Sequence, residues 1–382
     1  MTLEIEGGIP GPAGKQRVDL RTRIARLAVR PGVQAWAAKM PGFRGKTRSE
    51  GAALFDLVQG FVASQALRAV VELRLLHRLI DGPLPAEALA SAAGVSADRM
   101  ALLCQAAAAL GLMHRRRDGR YGITTRGAAL IGVPGLEAMI AHHDVLYRDL
   151  ADPVALLRGE VNTELAHFWP YVFGAGAAED PATAQRYSAL MADSQALVAN
   201  DALSTQPLKG ARRLMDVGGG SGAFAEAAAR AMPDVAVTLF DLPAVADAAR
   251  QRLGGSDVGH RIAVAGGSFR DDPLPDGHDA ISLIRVLYDH KDETVRGLLA
   301  KVYDALPPGG RLLVAEPMSG GAAPERAGDV YFAFYCLAMG TGTVRSAARI
   351  GALLKETGFS QISTPRAVRP YVTSVVTARK PD

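Results

Sequence analysis

The sequence predicts an α/β chain in which a doubly wound, mostly parallel sheet follows an N-terminal helical module. Three observations carry this reading. Strand and helix signals alternate from Gly210 to the C-terminus, as they do where βαβ units build a parallel sheet. The first of these strands runs into Leu214-Met215-Asp216-Val217-Gly218-Gly219-Gly220-Ser221-Gly222, a buried strand that breaks into a glycine-rich turn before a helix. Upstream, two short helix signals and a hairpin signal stand in the order of a winged helix.

In the C-terminal half, Arg213–Val217 reads as β, Ala223–Ala231 as α, Ala236–Phe240 as β, Pro243–Leu253 as α and Ile262–Ala265 as β. Ala280–Arg285 (β), Glu293–Leu306 (α), Arg311–Glu316 (β) and Ala347–Thr357 (α) continue the alternation. Gln361–Arg366 and Tyr371–Arg379 are expected to close the sheet as an antiparallel pair. Ligands of such sheets sit at the carboxyl ends of the strands. Asp216, Asp241, Gly266–Phe269 and Val286–His290 all fall at such ends.

In the N-terminal half, Pro85–Ala93 and Asp98–Leu110 read as helices, with Ser96 as a candidate N-cap for the second. Arg117-Asp118-Gly119-Arg120 is a hairpin signal. The second helix presents Asp98, Arg99, Gln105 and many alanines, a poor base-reading face, so the module is expected to dimerise and no nucleic acid is expected. Apolar residues recur at helical spacing from Ala52: Leu54, Phe55, Val58, Phe61, Val62, Leu67, Val70 and Val71. A helix apolar on so much of its circumference is expected to be buried, as in a dimer interface. The expected organisation is a basic leader (1–50), a winged-helix dimerisation domain (51–135), a helical linker with substrate-pocket residues (136–205) and a cofactor-binding domain (206–382).

Composition narrows the class. The chain has 382 residues, 48% of them hydrophobic, and a net charge of +4. Its two cysteines, Cys104 and Cys336, are far apart, which speaks against a disulfide framework and for a reducing, cytoplasmic compartment. No uninterrupted apolar run long enough to span a bilayer is read, and Met1–Gly14 lacks the apolar core of a signal peptide. The leader carries Lys15, Arg17, Arg21, Arg23, Arg26 and Arg30 and is expected to hold one short helix around Arg21–Lys39. A solvated arm and a peripheral contact with anionic lipid both fit this charge.

The glycine turn selects a cofactor class. Gly218-x-Gly220-x-Gly222 differs from the G-x-G-x-x-G of dinucleotide sites. An acid two residues before the first glycine would repel a pyrophosphate and suits a cationic amino-acid ligand. Asp241 ends the next strand, about 20 residues on, where a carboxylate grips ribose hydroxyls. Leu242 beside it is placed to pack near an adenosine.

With Asp216–Gly222, Phe240-Asp241-Leu242-Pro243, Gly266–Phe269 and Leu306-Pro307-Pro308-Gly309-Gly310-Arg311, the chain resembles the small-molecule O-methyltransferases of the caffeate and hydroxyindole type. The resemblance covers roughly Ala52 to Lys380. It implies a Rossmann-like class I methyltransferase fold, S-adenosyl-L-methionine (SAM) as cofactor, a homodimer, and methyl transfer to a hydroxyl. Ser268, Phe269 and Arg285 join Asp216, Gly218, Gly220, Asp241 and Leu242 as expected cofactor contacts. No metal site is expected.

One departure from the family is informative. The family carries His-Asp-Trp after the fourth strand, its histidine serving as general base, where this chain has Tyr288-Asp289-His290. The family's Gly-Asp-x-Phe becomes Gly266-Gly267-Ser268-Phe269, without the acid. These segments, with Ala338-Met339-Gly340-Thr341-Gly342, Val33-Gln34-Ala35-Trp36-Ala37 and Leu54-Phe55-Asp56-Leu57-Val58, resemble the bacterial carotenoid methyltransferases, which act on the 1-hydroxyl of acyclic carotenoids. The bacteriochlorophyll C-20 methyltransferases share the tyrosine and are close rivals.

His290 is the first candidate for the base because it titrates near neutrality. Tyr288 is the second, and Glu316 is the expected acidic partner. Asp289 is expected to cap the following helix. Tyr331, Tyr335 and Met339 are expected to wall an apolar pocket for a small hydroxylated substrate; their spacing also fits plain core packing. Peripheral attachment to an inner or photosynthetic membrane would suit such a substrate. Beside carotenoid O-methylation stand three other readings: C-methylation of a tetrapyrrole, O-methylation of a phenolic or polyketide product, and a winged-helix regulator that senses SAM.

Overall fold

The computed structural model describes residues 19–168, 195–204 and 206–382. The chain divides after Ala69 into an N-terminal unit and a unit from Val70 to Asp382. The N-terminal unit holds α1 (Leu20–Ala28), α2 (Pro31–Lys39) and most of α3 (Arg44–Glu72). Two leader helices replace the single one expected, because Pro31 cannot continue a helix but opens one well. Asp19 caps α1 by accepting the Thr22 N–H at 2.7 Å.

Helix α3 starts eight residues earlier than read and spans 29 residues. Leu54, Phe55, Val58, Phe61 and Val62 are exposed in the single chain, Phe61 by 71%. The expected burial is therefore not met within one copy. By length and composition alone, α3 is also apolar enough to cross a bilayer, contrary to the sequence reading. Alanines and glycines between the large side chains raise its hydropathy without making a continuous apolar run.

The second unit opens with α4 (Leu75–Arg78) and the winged-helix elements: α5 (Ala86–Ala93), α6 (Ala97–Ala109), β1 (Met113–Arg115) and β2 (Tyr121–Ile123). Ser96 stands at the N-cap of α6, but its side chain makes no cap hydrogen bond. The strands pair antiparallel, and Leu84 bridges to Tyr121 beside them. α7 (Thr125–Gly132), α8 (Leu136–Asp149), α9 (Pro153–Arg158) and α10 (Glu164–Phe168) follow. Residues 195–204 lie in α11. Residues 169–194 of the expected helical linker lie outside the described residues.

The sheet has seven strands: β3 (Arg213–Val217), β4 (Ala236–Asp241), β5 (Ile262–Gly266), β6 (Ala280–Ile284), β7 (Arg311–Glu316), β8 (Ser360–Ser363) and β9 (Ser374–Arg379). Their order is β5-β4-β3-β6-β7-β9-β8. The pairs from β5 through β7 are parallel, and β9 is antiparallel to β7 and β8. All five residues of β6 are buried, as expected of a strand covered on both faces. β6 ends one residue short of the reading because Arg285 turns to a φ of 57°.

Alternation along β3 builds two cores. Leu214 faces a cluster with Phe224, Ala225 and Ala228 of α12 (Ala223–Ala231) and Ala249 of α13 (Pro243–Leu253). Met215 faces the other cluster, with Leu298 and Leu299 of α14 (Asp292–Ala305) and Leu353 of α16 (Ala347–Thr357). Each fully buried leucine contributes about 1.5–3 kcal/mol, so the sheet is clamped from both sides. α15 (Ala333–Met339) continues a π-helical turn at Ala327–Phe332. Asp289 does not cap α14; Lys291 holds that position.

The order reverses between β3 and β6, so the crevice opens above the carboxyl ends of β3, β4 and β6. The turn after β3 depends on Gly222, whose φ is 83°. A Cβ there would lie 2.9 Å from Leu253 Cδ1. Gly222→Ala should cost about 1–3 kcal/mol, from the left-handed backbone and the crowding together. Urea unfolding should show the midpoint falling with an unchanged slope.

Candidate active site

The crevice is built on a single carboxylate. Asp241, the last residue of β4, accepts the Gly220 N–H at 2.7 Å through Oδ2 and the Leu242 N–H at 2.7 Å through Oδ1. It thereby ties the glycine turn after β3 to the end of β4. Burial raises its pKa to about 6, against the lowering effect of both N–H donors. Gly220 has a φ of 55°, and a Cβ there would meet nothing within 4 Å. The turn thus keeps open space on one side, which a ligand can fill close to the backbone.

Asp216 lies beneath this surface. It is wholly buried, and its Oδ1 accepts the Ser282 hydroxyl at 2.7 Å. Burial raises its pKa to about 7. It is bonded across to β6 and has no exposed surface, which corrects its expected place as a ligand contact. Gly218 sits over β6, where a Cβ would lie 2.8 Å from Val286 Cγ2.

The loop after β5 forms the next wall. Gly267 donates to the Asp241 carbonyl at 2.8 Å. The Ser268 hydroxyl donates to Asp271 at 2.8 Å, and the Ser268 N–H donates to Asp272 at 2.8 Å. Ser268 therefore spends its hydroxyl on folding its own loop. That loop brings two carboxylates close to the position where the family's acid is missing.

His290 belongs to this wall. Its ring meets Phe269 edge-on at 5.4 Å, and its Nδ1 lies 3.1 Å from the Arg270 guanidinium. Burial, with Arg270 and Arg345 nearby, lowers its pKa to about 4. The imidazole is neutral, but the lone pair at Nδ1 is committed to Arg270. This geometry corrects the expected role of His290: it packs beside the adenosine-side residue Phe269 and is not poised as the base.

The loop after β6 is held from two sides. Glu316, at the end of β7, is wholly buried and accepts the Tyr288 N–H at 3.1 Å. Burial raises its pKa to about 8. Arg345, 2% exposed, donates to the carbonyls of Leu287 and His290 at 2.8 Å each. Glu316 thus supports the loop that carries Tyr288 through its backbone N–H. The sequence reading missed Arg345 because nothing near it in the chain marks a buried cation.

Within this loop, Tyr288 is buried. Burial pushes its phenol well above the ordinary range, although Arg285 opposes the shift. A phenol held protonated in this way is no base. The Arg285 guanidinium stands 5.9 Å from the Tyr288 ring centre, with Nη2 at 3.4 Å from its hydroxyl. Asp289 is raised to about 7 by burial, opposed by Arg285. Arg285, expected at the cofactor carboxylate, is engaged with Tyr288 and Asp289. Its left-handed backbone is costly for a non-glycine residue, and such outliers cluster at functional sites.

Of the expected substrate residues, Tyr331 is half-buried. Tyr335 is buried and lies 3.1 Å from His142 Nε2. Met339 packs among Leu146, Leu165 and Ala338, which corrects its expected place in the pocket wall. The rings of His142 and His143 turn to the two tyrosines.

These residues fit SAM. Gly220 leaves the space its nucleoside needs, the Asp241 carboxylate stands ready for ribose hydroxyls, and Leu242 and Phe269 supply apolar faces beside it. The comparisons agree. A family model for the O-methyltransferase domain matches residues 147–360, and one for the O-methyltransferase dimerisation domain matches residues 55–132. A demethylspheroidene O-methyltransferase from Cereibacter sphaeroides is 58% identical, covering 97% of this chain and 98% of that protein. The protein of the same name from Rhodobacter capsulatus is 52% identical, over 98% and 93%. Human N-acetylserotonin methyltransferase, solved in complex with SAM, superposes with a TM-score of 0.73 at 25% identity, over 87% of this chain and 98% of that one.

Asp241→Asn should weaken SAM binding by about 10- to 100-fold, the worth of hydrogen bonds to a charged acceptor. In the wild type, affinity should fall as pH drops through about 6, where the carboxylate protonates. Calorimetric titration checks both, and the variant should lack that pH dependence.

Proposed function

The chain belongs to the O-methyltransferase family, and from that premise we propose that its acceptor is the 1-hydroxyl of an acyclic carotenoid. It is a SAM-dependent O-methyltransferase and carries the family's dimerisation domain. One observation supports the acceptor: the likeness to the demethylspheroidene enzymes runs along nearly the whole chain. The winged-helix elements fall within the matched dimerisation domain, which favours dimerisation over a role in reading DNA.

SAM supplies an electrophilic methyl group on a sulfonium. The chain's own residues bind, orient and exclude water. Asp241 and the Gly218–Gly222 turn hold the nucleoside end, and Phe269 with His290 closes the adenosine side. Glu316 and Arg345 fix the loop that carries Tyr288 and Asp289. Positive charge disperses during the transfer, so orientation and desolvation supply more of the rate than any new charge contact.

The exposed apolar residues of α3 support closure against a second copy. Leu54, Phe55, Val58, Phe61 and Val62 form a patch too large to face water, and residues from 55 onward fall in the matched dimerisation domain. This use of α3 is favoured over membrane crossing.

The leader supports a peripheral lipid contact. Leu20, Ile24 and Leu27 lie exposed at helical spacing on α1, among Arg21, Arg23 and Arg26. Trp36 and Phe43 are exposed beyond them. Basic amphipathic helices of this kind lie in the interface of anionic membranes.

Two outcomes are expected. Incubation with methyl-labelled SAM and a 1-hydroxylated acyclic carotenoid should yield the labelled methyl ether; turnover of phenols alone would refute the acceptor. The protein should sediment with vesicles containing anionic phospholipid and not with neutral ones, and Ile24→Glu with Leu27→Glu should abolish the binding.

A further inference from the structure

Two histidine–tyrosine pairs stand beside the crevice, and neither belongs to the cofactor turn. His142 and His143 are consecutive residues of α8. Consecutive helical side chains point about 100° apart, so the two rings reach different partners. His142 Nε2 lies 3.1 Å from the Tyr335 hydroxyl, and His143 Nε2 lies 2.7 Å from the Tyr331 hydroxyl. The first pair is buried and the second half-buried. The inner pair therefore braces the two helices, and the outer pair keeps part of its surface exposed.

We propose that Tyr331 and His143 form the proton relay of the methyl transfer, with Tyr331 touching the acceptor hydroxyl and His143 taking the proton behind it. Three observations support this assignment. Tyr331 is carried on the π-helical turn at Ala327–Phe332, a local irregularity frequent at functional sites. Tyr331 interacts electrostatically with Arg285, which follows β6 at the carboxyl end where the crevice opens. The histidine beside the familiar base position is unavailable, because the His290 Nδ1 lone pair is committed to Arg270.

The step balances. The alcohol oxygen forms a bond to the methyl carbon as the carbon–sulfur bond breaks, and that electron pair stays on sulfur as a neutral thioether. The alcohol proton passes to the Tyr331 oxygen while the phenolic proton passes to His143 Nε2. Positive charge moves from sulfonium to imidazolium, so none is created in the crevice. An alcohol is a weak acid, but its oxygen becomes a strongly acidic oxonium as the new bond forms. A neutral imidazole is then base enough.

Burial lowers the pKa of His143 and keeps the imidazole neutral. It also raises that of the Tyr331 phenol, opposed by Arg285. Among the described residues, the groups around His143 are Tyr331 and Tyr335 from the facing helix, Arg285 beyond Tyr331, and His142, Asp144 and Tyr147 on its own helix.

The relay rests on transfer to a hydroxyl and not on the polyene that carries it. The test uses Tyr331→Phe and His143→Ala in the full chain. The acceptors are a 1-hydroxylated acyclic carotenoid in detergent and, should wild type leave it unmethylated, a naphthol. That failure would count against the carotenoid and leave the relay to be judged on the naphthol.

Each variant should lose about 10²-fold in kcat, with calorimetric SAM affinity unchanged. Added imidazole should restore part of the rate to His143→Ala and none to the double variant. Without SAM, Tyr331→Phe should bind the acceptor alcohol about fivefold more weakly, the worth of one hydrogen bond, and its methyl ether unchanged. Fluorescence quenching by the acceptor reads that affinity. Turnover within twofold of wild type in either variant would overturn the relay. So would equal loss of affinity for alcohol and ether together with no rescue by imidazole. Tyr331→Phe keeps the ring that packs against Phe332 and Tyr335, so it decides the matter even if His143→Ala fails to fold.

Discussion

The bond from the Gly220 N–H to the Asp241 carboxylate is the constraint on which the site depends. It joins two adjacent strand ends that are distant in sequence, and so fixes where the glycine turn lies over the sheet. A buried carboxylate is costly unless donors surround it. Here two backbone N–H groups meet it, yet burial still raises its pKa to about 6. The hydroxyls of a ribose would add the donors that the folded chain lacks. Ligand binding and the ionised state of Asp241 therefore favour each other. Asp216, one strand over, is a second buried acid, bonded across the sheet to the Ser282 hydroxyl.

Around that anchor, the crevice is divided by chemistry. On one side, Phe269, His290 and Arg270 make an aromatic and cationic wall held to the β5 loop. On the other, Tyr288, Arg285 and Asp289 form a buried polar knot, kept in place by Glu316 and Arg345 below the loop. Burial drives the acids and the imidazole there, Asp289, Glu316, Tyr288 and His290, toward the neutral form. Carboxyls and phenols are raised, and imidazoles are lowered. A site with this bias suits a reaction that begins with one positive charge on the ligand and passes it on. It offers little to chemistry that must stabilise a new anion.

Much of this was legible in the sequence. The alternation of strand and helix signals placed the five parallel strands within one residue, because strands buried on both faces read as apolar runs, and the antiparallel pair β8 and β9 within three. The glycine turn and Asp241 were legible because their chemistry is local to two strand ends. The errors share a cause. His290 was expected to be the base from its titration range, but Arg270, 20 residues upstream in the chain, decides what its ring does. Met339 has the same helical spacing as a pocket residue and as a core residue, and only packing separates the two. Glu316 is close to the reacting loop, but its role depends on how deeply it lies. His142 and His143 looked idle because their partners, Tyr335 and Tyr331, are almost two hundred residues away. The exposed face of α3 could not be read from periodicity, since a helix apolar nearly all round gives the same pattern whether its cover is its own chain or another.

The account joins a nucleoside grip at Asp241 to a methyl-acceptor face at Tyr331. A crystal structure with S-adenosylhomocysteine and the hydroxylated acceptor tests that union most directly. The ribose hydroxyls should lie on the Asp241 carboxylate, and the acceptor oxygen should stand about 2.7 Å from the Tyr331 hydroxyl, with the sulfur on its far side. An acceptor oxygen bonded to His290 instead, with Tyr331 turned away, would contradict the account.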